Sequence, residues 1–143
     1  MRSYLFMALV IGLSCSICIA AEPENHADSR TSLKLTPSEK AEFLGEMRQM
    51  LASIQGVIAG IAEEDRELII KSARYSGNRM ARETPESIKK KTSPAFKDIG
   101  GKTHMMFEEL AIRAETDDMD WLTSFTGDLM KQCLACHEIF KAN

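Results

Sequence analysis

The chain has 143 residues, with 18 lysines and arginines against 21 aspartates and glutamates, for a formal charge of −3. That acidic balance gives no electrostatic footing for nucleic acid, and the length suits one domain around a single core. Its four cysteines fall into two pairs, Cys15 with Cys18 and Cys133 with Cys136.

Residues 1–20 are predicted to be a signal peptide. Arg2 supplies a short basic start, Leu5 to Ile19 is apolar, and Cys18-Ile19-Ala20 places small residues where a signal peptidase reads. The apolar run is short for a membrane span and gives way directly to Glu22-Pro23-Glu24-Asn25, so no stable anchor is expected after cleavage. A lipid-anchor reading of Cys15 is disfavoured by Gly12, three residues before it, where a large aliphatic side chain is the norm. Cleavage would leave only Cys133 and Cys136, on a chain with a formal charge of −4. An exported chain of this kind has no spare thiols for competing disulfides.

Residues 21–35 are polar and without periodicity, and are read as a flexible leader to a domain over 36–143. Thr36-Pro37-Ser38-Glu39 then combines a capping threonine, a proline at the first helical position and a glutamate at the third. Phe43, Leu44, Met47, Met50, Leu51, Ile54, Val57, Ile58 and Ile61 follow as a wide apolar stripe at helical spacing. A second helix starts after the acidic Glu63-Glu64-Asp65, with Leu68, Ile69, Ile70, Ala73 and Tyr75 on its apolar side and a stop or kink at Gly77-Asn78. Residues 82–93 read as a loop holding at most one helical turn, and Lys89-Lys90-Lys91 as a solvated surface.

The third helix is predicted from about Ser93 to Ala114, with Phe96, Ile99, Thr103, Met106 and Leu110 at core spacing. Gly100-Gly101 within it costs stability, which suggests close approach by a neighbouring helix or a bound group, or else a plain kink. Thr116-Asp117-Asp118 caps a fourth helix that carries Leu122, Phe125, Leu129, Cys133, Cys136 and Phe140 on one stripe. No segment reads as a strand. The expected fold is all-α, an antiparallel up-down-up-down four-helix bundle.

The fourth helix ends in Cys133-Leu134-Ala135-Cys136-His137. Cys-x-x-Cys-His is the attachment signature of c-type haem, in which the thiols become thioethers and the histidine an axial iron ligand. Residues three and four apart share a helix face, so one turn of helix presents all three groups together. A thioredoxin-type redox pair would follow a strand and open a helix, whereas this motif closes one. Half of a zinc site would need further ligands, and only His26 and His104 remain beyond the motif in the cleaved chain.

A C-terminal motif of this kind on the last of four helices resembles the class II cytochromes c, the cytochrome c′ family with its low-spin, methionine-ligated relatives. Phe140-Lys141 after the motif strengthens the likeness. The resemblance implies a periplasmic protein with one covalent haem c, with Cys133 and Cys136 as thioether residues and His137 as the proximal ligand. It also implies redox partner proteins and allows a homodimer through the first two helices.

In that family the first helix lines the distal side, where a methionine makes a low-spin electron carrier and an aliphatic residue leaves iron open to nitric oxide or carbon monoxide. Met47 is the expected sixth ligand and Met50 the alternative; Arg48 is a candidate propionate contact. Both methionines could equally be core filler, and Arg48 a surface cation. His104 is expected to be a partly exposed histidine rather than a ligand, and Trp121 and Phe125 to pack near the haem edge or, on the safer reading, simply as core aromatics. Paired carboxylates, a nucleophile–base set and a phosphate loop are all missing from the sequence pattern, so an electron carrier is expected rather than an enzyme.

Overall fold

The computed structural model describes residues 27–143. The expected signal peptide, Cys15, Cys18 and His26 lie outside the described residues. The chain is mostly helical, in the order β1 (Thr31–Ser32), α1 (Pro37–Ala62), α2 (Arg66–Tyr75), α3 (Asn78–Glu83), α4 (Glu86–Lys91), α5 (Pro94–Arg113), α6 (Met119–Ile139) and β2 (Phe140–Lys141).

Helix starts follow their local chemistry closely. Thr36 and Glu39 form a reciprocal capping box on α1, with Pro37 in its first turn. Asp65, Ser93 and Asp118 each accept a backbone N–H in the first turn of α2, α5 and α6. The predicted loop over 82–93 is instead mostly helical, because the chain folds into α3 and α4 on either side of Thr84-Pro85. Within α4, Lys89 pairs with Glu86 at 3.2 Å, and Lys91 reaches Glu39 on α1.

Helix α1 packs on α2 and α6, and α5 packs on the same two helices. Their shared core holds Ile54, Val57, Ile69, Ala73, Phe107, Leu110, Leu122 and Leu129. The stripe of α1 is narrower than its sequence suggests: Leu51 and Ile58, seven residues apart, stay 69% and 51% exposed. Tyr75 also faces outward, with the Arg79 guanidinium 5.7 Å from its ring centre. Phe107, which the stripe of α5 did not include, is fully buried.

Two glycines explain how closely α1 and α2 approach. A methyl group at Gly60 would lie 2.7 Å from the Ile69 side chain, and one at Gly56 would collide with the Ser72 hydroxyl. No such contact accounts for Gly100 and Gly101. A side chain at Gly101 would meet nothing within 4 Å, and one at Gly100 only Phe96 of the same helix, at 3.8 Å. The expected approach of a neighbouring helix at that pair is therefore not what the fold uses.

A second cluster, of Leu33, Leu35, Phe43, Ile88 and Phe140, joins the start of α1 to the end of the chain. It corrects two expectations. Residues 31–35 are tied down rather than flexible, since β1 pairs in parallel with β2 and Leu33 and Leu35 are buried. The chain also contains strand, although only this two-residue pair among the described residues. A short alternation of polar Thr31, Ser32 and Lys34 with apolar Leu33 and Leu35 is all that marks it.

Candidate functional site

Helix α6 runs unbroken from Asp118, its cap, through the Cys-x-x-Cys-His motif to Ile139. Both thiols are free and half-buried, while Leu134 and His137 face solvent. The Cys133 Sγ lies 3.9 Å from the Leu129 carbonyl, which accepts its weak hydrogen bond. Burial pushes both thiols above their ordinary pKa, and the neighbouring Cys133 adds to the effect at Cys136. A reactive dithiol needs the opposite shift, so the surroundings do not prepare this pair for thiol exchange.

Cys136 packs against the second cluster, together with Met47, Phe96 and Ile99. Three aromatic rings lie in this region: Phe43 and Phe96 are 5.9 Å apart, and Phe96 meets Phe140 edge-on at 5.3 Å. Met47 and Cys136, one from the first long helix and one from the last, are thus brought to the same apolar cluster. Met50 is buried elsewhere, in the core with Ile54 and Val57. Arg48 is exposed on α1.

His104 is half-buried, and its Nδ1–H donates to the Ser76 carbonyl at 2.7 Å, which ties α5 to the end of α2. Trp121 and Phe125 stack at 4.8 Å but belong to the core cluster, with Arg113 over the Trp121 ring. Cys133 lies twelve residues further along α6, about 18 Å of helix from Trp121. The two aromatics therefore pack on the main core, with Trp121 well down the helix from the motif.

Arg30 has no part in the site expected from the sequence. The Arg30 Nη1 donates to the His137 carbonyl at 3.2 Å across 107 residues of chain. Nothing in a polar leader announces such a contact, because it depends on the strand pairing that brings the two ends together.

The donor set fits a covalently anchored haem. It comprises two unpaired thiols one turn apart, an adjacent solvent-facing imidazole, and a thioether packed on the same cluster as one of the thiols. Among the described residues no three His, Cys, Asp or Glu side chains gather as a closed metal-ion site would require. No described helix is long and apolar enough to cross a membrane. No protein-family model matches the chain, and no curated protein or solved structure is significantly similar to it.

Proposed function

We propose that this protein is an exported monohaem c-type cytochrome of the class II kind, transferring single electrons between protein partners in the periplasm. The observation that carries the reading is the Cys133-Leu134-Ala135-Cys136-His137 motif on α6, whose Cys136 shares an apolar cluster with Met47 of α1. The mutual packing of α1, α2, α5 and α6, each touching two of the others, supports an antiparallel four-helix bundle with α3 and α4 as its crossover.

In this reading Cys133 and Cys136 would hold a haem through thioether bonds, and His137 and Met47 would supply ligands to its iron. The bound haem supplies a one-electron Fe(III)/Fe(II) couple. The chain's own residues do the rest. The thiols on a regular helix fix the attachment, while Phe43, Phe96 and Phe140 supply an apolar surround that limits water. A thioether ligand in such surroundings favours the reduced state and raises the potential. Arg48, exposed beside Met47, is a candidate propionate contact.

The test is the absorption spectrum of protein matured with haem in a periplasm. A sharp, split reduced spectrum with a methionine–iron charge-transfer band when oxidised supports the electron carrier. A broad, high-spin spectrum that sharpens on adding carbon monoxide replaces it with a five-coordinate, gas-binding cytochrome c′. A chain that takes up no covalent haem rejects both.

A further inference from the structure

The segment just before α1 ends on the candidate ligand itself. His137 lies in the last turn of α6, among the four carbonyls that a helix leaves without intrahelical partners. In a continuing helix the donor to its carbonyl would be Lys141, but Lys141 is in the extended β2. The Arg30 guanidinium takes that place, with Nη1 3.2 Å from the carbonyl oxygen. Its other nitrogens are held by Asp28, with Nε and Nη2 each 2.9 Å from a carboxylate oxygen, so the fork arrives already oriented.

Further contacts lock the same two stretches together. The Leu33 N–H donates to the Lys141 carbonyl at 3.0 Å, the Ser32 hydroxyl to the Asn143 carbonyl at 2.8 Å, and the Lys141 ammonium to the Asp28 carbonyl at 3.1 Å. Leu33 and Leu35 anchor the segment in the cluster that Cys136 and Met47 also touch. Residues 28–35 therefore form a strap tied to the last turn of α6 through Arg30 and to the residues just beyond it through Asp28, Ser32 and Leu33.

We infer that this strap is a positioning device for His137, with Arg30 as its key residue: it fixes the backbone of the last turn of α6, from which the imidazole projects. The inference rests on the proposal that His137 is an axial ligand. A helix end frays most readily in its final turn, and this turn would otherwise have only the short β2 beyond it. Because Arg30 binds the backbone of residue 137, its influence on the ligand does not require contact with the imidazole.

The experiment compares Arg30→Ala and Arg30→Lys with the parent full chain, matured with haem. Amide exchange is followed at Leu33 and Phe140, whose N–H groups bond to Lys141 and to the Cys136 carbonyl. Arg30→Ala is expected to speed exchange there roughly three- to tenfold, the range for losing a charged hydrogen bond at a partly exposed site. The reduction potential should move as well, with the urea midpoint of the helices retained, and Arg30→Lys should recover part of both changes. Unchanged exchange and unchanged potential in Arg30→Ala overturn the inference. Faster exchange with an unchanged potential overturns the ligand-positioning role and leaves a purely structural strap. Parent protein without covalent haem rejects the haem reading, while the exchange data still decide whether Arg30 holds the helix end.

Discussion

Met47 and Met50 lie three residues apart on α1, close enough that spacing alone does not choose between them as ligand. Their packing does separate them, since Met47 borders both clusters, that of Cys136 included, whereas Met50 is buried in the one with Ile54 and Val57. On the proposed reading, Met47→Ala converts a low-spin haem to high spin, whereas Met50→Ala keeps the spectrum and lowers stability by about 2–5 kcal/mol. Optical spectra and urea unfolding of the two variants check both halves. An unchanged spectrum in Met47→Ala removes that methionine as the ligand. The motif was fully legible because its chemistry lies within one turn of helix. Trp121 and Phe125 took the plainer of their two expected roles, as aromatics on the core: a shared stripe says which face a residue occupies, and not how far along the helix a site extends.

Among the elements, α1 and α2 form the tightest contact, and glycine makes it. The methyl group of Gly60→Ala would sit 2.7 Å from Ile69, which is itself fully buried and has little room to yield. The expected loss is about 1–3 kcal/mol, read as a lower urea midpoint. Gly101→Ala, with open space at its Cβ, should instead stabilise α5 by about 0.5–1 kcal/mol. A second device in the same layer is a buried hydroxyl pair, Ser53 on α1 and Ser76 after α2, 2.8 Å apart. Ser76→Ala would strand the Ser53 hydroxyl at a cost of about 1–3 kcal/mol, and the double replacement by alanine should recover part of it. Caps and helix starts could be read locally from Thr36, Asp65, Ser93 and Asp118. The roles of Gly56 and Gly60 could not, because a small residue in an apolar stripe looks the same whether or not another helix lies against it.

Long-range ties hold the molecule together at the end where α1 begins. The Lys91 ammonium joins α4 to Glu39 on α1 and, with the Thr36 backbone, holds the Glu39 carboxyl down to about 2 from its ordinary 4.5. Folding thus binds this proton more weakly than the unfolded chain does. The stabilisation is complete above the unfolded value and disappears as the pH falls through about 2. Acid unfolding should therefore show a loss between those limits that Glu39→Gln lacks, and high salt should reduce the difference between the two proteins. An identical acid profile in the variant would mean that the pair contributes nothing to the fold.

Helical class, the positions of α1, α5 and α6, and the placing of the Cys133-Leu134-Ala135-Cys136-His137 motif on the last helix were all readable from the chain. Each rests on residues no more than a few turns apart, where geometry follows from covalent spacing. The tertiary structure was needed for everything that depends on distant residues meeting. It put Met47, and not Met50, against the cluster that Cys136 also borders, left Leu51 and Ile58 outside the core, and turned a polar leader into a strap with Arg30 on the His137 carbonyl. A partner 107 residues away leaves no local periodicity, because the contact exists only once the core has brought both ends of the chain to the same place.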